Sequence, residues 1–153
     1  MNRIAIAFAV SVFAAGSALA SDKSDIIAVL KQWNNPDNMM KAAASCANDA
    51  AILDVIPPYE WHGPGACANF AKDYDAFVRK EGMAYEIGAM GKPTEFDVVG
   101  DRAYVSIPFT FRGTQKGQPV KDRGMMAFAL QKTAVGWRIT ALSWATLTSS
   151  ALP

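Results

Sequence analysis

Between Arg102 and Arg112 the sequence alternates with a period of two: Ala103, Val105, Ile107, Phe109 and Phe111 fall on one side, and Arg102, Tyr104, Ser106, Thr110 and Arg112 on the other. Successive side chains of a strand point to opposite faces, so this run predicts a strand with one buried and one wet face. Its apolar side has to be covered by another part of the chain. Further strand-like runs follow Gly82, at 84–90, 94–99, 120–131 and 137–148, separated by glycine-bearing turns. Gly100-Asp101 reads as a tight hairpin between two of them.

Upstream the period lengthens and supplies the cover. Ile26, Ile27, Leu30 and Trp33 recur at helical spacing behind Ser24, which predicts a helix capped by that serine and stopped at Asn34-Asn35-Pro36. Pro36 suits the first position of a short second helix carrying Met39, Met40, Ala43 and Ala47 on one stripe. A short strand, Ala51 to Ile56, ends at Pro57-Pro58, which cannot both continue a ladder. Gly63-Pro64 opens the third and longest helix, where Cys67, Phe70, Ala71, Tyr74, Phe77 and Val78 line one face before Gly82 stops it. Two helices, a strand, a long helix and then a meander make an α+β order, with a curved sheet wrapped around the long helix.

The first residues predict a destination. Arg3 gives a positive start, Ile4 to Ala15 an apolar stretch, and Ala18-Leu19-Ala20 a small-x-small cleavage pattern, the three parts of a secretory signal peptide over 1–20. The mature domain is then 21–153, starting near Ser21, in the periplasm or secreted. With no second long apolar run, no membrane association is expected after cleavage.

Charge removes one class of partner. The chain has 15 Lys and Arg against 14 Asp and Glu, and Arg3 is the only charged residue of the first twenty, so the mature part is balanced. A balanced chain lacks the basic footprint of a nucleic-acid binder. Its hydrophobic share of 51% argues against disorder. The only two cysteines, Cys46 and Cys67, lie in the exported part. They read as a disulfide, the alternative being two small buried side chains that never meet. Two cysteines and one histidine cannot close a standard zinc site, and no metal or cofactor is expected. No G-x-S-x-G elbow, Walker loop or G-x-G-x-x-G is present, which leaves serine hydrolysis, nucleotide hydrolysis and Rossmann-type cofactor binding without support.

The segment Ala47-Asn48-Asp49-Ala50-Ala51-Ile52-Leu53-Asp54, with Gly63 nine residues on, resembles an A-x-D-A-x-x-x-D stretch of the ketosteroid isomerases. Lys116-Gly117-Gln118-Pro119 in a hairpin and Gly136-Trp137-Arg138-Ile139 entering the last strand are similar to the wider nuclear transport factor 2-like superfamily, which includes the SnoaL-like polyketide cyclases. The resemblance covers essentially the whole mature chain. It implies a cone-shaped sheet whose open end holds a mostly apolar pocket for a small apolar or aromatic molecule, and a homodimer formed through the sheet.

Candidate lining residues are Trp33, Ile52, Asp54, Phe109, Met126, Phe128 and Trp144, each of whose apolar members also fits plain core packing. Asp54 has a chemical argument of its own, because alternation puts it with Ile52 and Ile56, where burial disfavours the ionised form. It matches the position of the isomerase base, which takes a proton from a carbon next to a carbonyl. The other reading is a structural aspartate satisfied by a Trp or Tyr donor or by nearby backbone. His62 reads as an exposed turn residue, or as an acid/base partner of Asp54 if the turn folds toward the pocket. The isomerases' helix-one tyrosine has only Trp33 in its nearest place, and their protonated aspartate falls near Met126, so a steroid isomerase is disfavoured. Three functions remain: a ligand-binding module, a cofactor-free isomerase, cyclase or lyase using Asp54, and an interaction domain pairing through its sheet.

Overall fold

Residues 14–34, 39–86 and 88–151 are described by the computed structural model. In chain order they form α1 (Ala14–Trp33), α2 (Met39–Ala43), β1 (Cys46–Leu53), β2 (Glu60–Pro64), α3 (Ala66–Lys80), β3 (Met83–Tyr85), β4 (Ala89–Met90), β5 (Glu95–Val99), β6 (Arg102–Gln115), β7 (Gln118–Thr133) and β8 (Gly136–Ala151). The strands make one mixed sheet in the order β2-β1-β8-β7-β6-β3, with β4 and β5 also paired to β6. All pairings are antiparallel except β1 with β8. This is the α+β architecture that the sequence predicts, with the sheet curled over the helices.

The long alternation becomes β6, the strand that organises the sheet. Along one edge it receives β5, β4 and β3 in succession, and along the other it pairs with β7 over its full length. Val99 pairs with Arg102, so Gly100-Asp101 is the tight hairpin expected. Ala103, Val105, Ile107 and Phe109 are buried, as are Phe128 and Leu130 of β7 and Trp137, Ile139 and Leu142 of β8. Ile26, Leu30 and Trp33 of α1 join the same core, together with Ile52 of β1. Bulges where β7 meets β8, at Arg123/Gly124 and Ala129/Leu130, add the local bend that curls a sheet.

Cys46 at the start of β1 and Cys67 at the start of α3 are joined by a disulfide, with their Cα atoms 6.5 Å apart. In the chain-entropy model, closing a loop of this length contributes on the order of 3 kcal/mol. The bond ties α3 to the sheet beside the parallel β1–β8 pair.

Several boundaries differ from expectation. Helix α1 runs continuously from Ala14, so Ser24 lies inside it; the alanines and leucine upstream are good helix formers and extend it. Residues 1–13 of the expected signal peptide, and Asn35 and Pro36, lie outside the described residues. Ala47 belongs to β1 and not to α2, which has five residues. Strand β1 starts at Cys46 and ends at Leu53, before Asp54, because the chain turns there: Asp54 N–H donates to Tyr59 O and Tyr59 N–H to Ile56 O, at 3.0 and 2.8 Å. The expected turn at Glu60–Pro64 is the edge strand β2, paired with β1, and α3 starts after Gly65, whose φ of 77° suits a glycine. The run 84–90 divides into β3 and β4.

Candidate functional site

Beyond Phe109 the inner face of the sheet changes character. Phe111 continues the β6 alternation, and the register places it opposite Asp122 of β7. Further along β7, Met126 faces inward opposite Trp144 of β8. These side chains and the facing surface of α3 enclose a cavity of about 370 Å³.

Two aromatic walls border it. On the helical side Trp33 stacks on Phe70, with ring centroids 6.0 Å apart, and Phe70 meets Tyr74 at 5.7 Å. On the sheet side Phe111 lies between Tyr85, at 6.1 Å, and Trp144, which it meets edge-on at 5.3 Å. Two glycines make room for the second wall. A Cβ on Gly124 would collide with the Trp144 ring and the Ala145 carbonyl, and one on Gly88 with the Phe111 ring. Asn34 and Gly88 also line the cavity and are tied together, Asn34 Nδ2 donating to the Gly88 carbonyl at 2.6 Å.

The polar groups in this apolar setting are few and specific. Asp54 sits at the end of β1, half-buried, and its Oδ1 accepts the Ile56 N–H at 3.2 Å. Burial is the larger influence on its carboxyl and holds the pKa above the ordinary value, against the lowering effect of the Ile56 and Val55 amides. The Tyr85 hydroxyl donates to Asp122 Oδ2 at 2.7 Å. Burial pushes the Tyr74 phenol up to about 12, helped by the negative charges of Asp54, Asp122 and Asp75. The Tyr85 phenol is raised as well, first by burial and then by its hydrogen bond to Asp122, so both tyrosines remain protonated donors at neutral pH.

Of the residues that the sequence marks as lining, Trp33, Asp54, Met126 and Trp144 border the cavity. Ile52, Phe109 and Phe128 do not; at 1%, 2% and 0% exposure they are packed into the core cluster that also holds Ile26, Leu30 and Phe70. His62 is exposed on the edge strand β2 opposite Ala51 and is not part of the lining. Asp54 meets no Trp or Tyr donor; the indole of Trp61 instead donates to Asp73 at 2.8 Å. Tyr85, Asp122 and Phe111 also border the cavity without being marked by the sequence pattern, and Tyr74, which the pattern puts in the α3 core stripe, borders it too. A signal for Asp122 was present, since it falls in phase with Met126 and Phe128. Among the described residues no group of three or more His, Cys, Asp or Glu is arranged to hold a metal ion.

No family model matches the chain, and no curated protein matches it in sequence. Its fold, in contrast, is shared widely. An NTF2-like protein with a cystatin-like fold from Novosphingobium aromaticivorans superposes with a TM-score of 0.70 at 18% identity, over 89% of this chain and 88% of that one. A hexachlorocyclohexane dehydrochlorinase from Novosphingobium barchaimii gives 0.70 at 11% identity, over 90% and 92%. The Kfla4162 protein from Kribbella flavida gives 0.72 at 13% identity, over 86% and 95%. A curled mixed sheet closed by three helices over an inner cavity therefore defines the class. The chain has the nuclear transport factor 2-like fold.

Proposed function

We propose that this chain is an exported binding domain that holds a small apolar or aromatic molecule in the cavity between α3 and the sheet. The observation that carries the reading is the cavity itself: about 370 Å³ between two aromatic walls, with a few placed polar groups. That size and that mix suit a small ligand recognised mainly by its apolar surface. A fold neighbour named as a dehydrochlorinase of hexachlorocyclohexane, a small apolar molecule, supports the same class of occupant.

Export is part of the proposal, with a signal peptide over 1–20 and the domain over 21–153. The Cys46–Cys67 disulfide supports it, since such bonds persist in oxidising compartments. No helix among the described residues is long and apolar enough to cross a membrane. A homodimer through the outer sheet face is the proposed assembly, supported by its half-buried small residues Ala127, Ala129 and Ala141.

A second reading, proton transfer by Asp54, is favoured by one observation: its burial-raised carboxyl borders the same cavity as the protonated phenols of Tyr74 and Tyr85. A base with donors near it is the minimum that abstraction next to a carbonyl needs.

The test is to purify the exported chain without denaturation and identify co-purifying small molecules by mass spectrometry. Binding predicts a stoichiometric apolar compound in wild type that is depleted in Trp144→Ala. Consistently empty wild-type protein that also fails to take up added aromatic probes would overturn the reading. If Asp54 is a base, Asp54→Asn keeps the compound bound but ends its conversion.

A further inference from the structure

The cavity is one-sided in charge. Four carboxylates border it, from the half-buried Asp54 and Asp122 and the exposed Asp75 and Glu86, and among the described residues its lining includes no lysine, arginine or histidine. Lys121 and Arg123, on either side of Asp122, alternate to the outer face with Thr148 and Ser150. The salt bridges found among the described residues, Lys132 with Asp22 and Arg102 with Asp101, lie elsewhere. Among the described residues, Asp122 therefore has a neutral phenol as its side-chain partner, and Asp54 has main-chain amides.

Carboxylates drawn away from water without a cation are costly, and here burial already disfavours the charge on Asp54. Both Asp54 and Asp122 act on the Tyr74 and Tyr85 phenols, so their fields overlap in the part of the cavity that these tyrosines border. A neutral occupant leaves that field unbalanced, and an anionic one meets repulsion. The aromatic walls add to the preference, because ring faces are negative and attract cations, quaternary ammonium groups included.

We infer that the natural occupant of the cavity is an organic cation, an ammonium group on a small apolar or aromatic body, with the charge near Asp54 and Asp122 and the body between the Trp33–Phe70–Tyr74 and Tyr85–Phe111–Trp144 walls. This rests on the cavity being a ligand site and adds the charge of the ligand.

Three probes that share a benzyl group separate the two claims: benzyltrimethylammonium, its uncharged carbon isostere neopentylbenzene, and the anion phenylacetate, each titrated against the full chain by tryptophan fluorescence. The cation binds at least about tenfold more tightly than either other probe. In the Asp54→Asn, Asp122→Asn double variant, checked for folding by circular dichroism, that preference falls to about twofold or less while neopentylbenzene keeps its affinity. Wild-type protein that binds neopentylbenzene or phenylacetate as tightly as the cation would overturn the charge assignment and leave the ligand site standing. If none of the three binds, both claims fail. The wild-type ranking decides the matter even if the double variant does not fold.

Discussion

The inner face of the sheet has two ends built from the same three strands. At one, Val105, Ile107, Phe128, Leu130 and Ile139 interlock under α1 and are all but unexposed. At the other, Phe111, Asp122, Met126 and Trp144 continue the same inward alternation but border a cavity of about 370 Å³. Strand geometry is the same at both ends, so it does not decide which becomes core and which becomes site. The difference lies in residue chemistry: at the closed end branched aliphatics fill the gaps around Phe109, Phe128 and Trp137, whereas at the open end Phe111 and Trp144, placed against Gly88 and Gly124, share the inner face with a carboxylate, which is costly to pack dry.

Substitutions at matched positions should separate the two ends. Phe128→Ala, at the closed end, is expected to cost roughly 3–5 kcal/mol in urea unfolding. Trp144→Ala, at the open end, should cost only about 1 kcal/mol, since the ring already borders empty space, yet abolish probe binding. Equal losses from the two would erase the distinction. Removing the disulfide with Cys46→Ala and Cys67→Ala should lower stability by on the order of 3 kcal/mol without changing probe affinity, because the bond braces the scaffold. Gly124→Ala is expected to cost roughly 3 kcal/mol and to shift the fluorescence of Trp144, since both that ring and the Ala145 carbonyl must move away from the new methyl group. Tyr85→Phe, which leaves Asp122 without its hydroxyl donor, should cost about 1 kcal/mol.

Acid sensitivity marks the closed end as well. Asp22 accepts hydrogen bonds from Lys132 Nζ, at 2.6 Å, and Trp137 Nε1, at 3.0 Å, and the lysine and then the indole hold its carboxyl below the ordinary value. A lowered folded-state pKa contributes stability above the unfolded value that is lost as pH falls through the folded one. Asp22→Asn should therefore destabilise at neutral pH and make no difference in strong acid, a pattern that parallel unfolding curves would reveal.

The closed end was readable in the sequence and the open end only partly so. The alternation of β6, the stripe of α3 and the Gly100-Asp101 hairpin each follow from local periodicity, and tertiary structure kept them. The strand expected over Ala51 to Ile56 is kept only as far as Leu53 in β1, because main-chain bonds at Asp54, Ile56 and Tyr59 turn the chain before the apolar run ends. The sequence marks Trp33, Asp54, Met126 and Trp144, which border the cavity, and equally Ile52, Phe109 and Phe128, which are core. An apolar inward residue looks the same in sequence whether it meets a neighbour or a void. Asp122 falls in phase with Met126 and Phe128, but between Lys121 and Arg123 it also resembles a solvated charge run, and its register opposite Phe111 decides for the inner face. Tyr85 acquires its role through a partner 37 residues away.

The central claim is that the acids of the open end serve a ligand at the expense of stability, and Asp54→Asn tests it most directly. The raised folded-state pKa of Asp54 means that ionisation weakens the fold: stability falls as pH rises from the ordinary carboxylate value through the folded one. Asparagine keeps an oxygen for the Ile56 amide and removes the charge. In urea unfolding without ligand, the account predicts that Asp54→Asn is more stable than wild type at pH 7, with the advantage disappearing in acid, while its affinity for benzyltrimethylammonium drops. A variant less stable than wild type at pH 7, with its affinity intact, would show that Asp54 is a structural carboxylate and contradict the account.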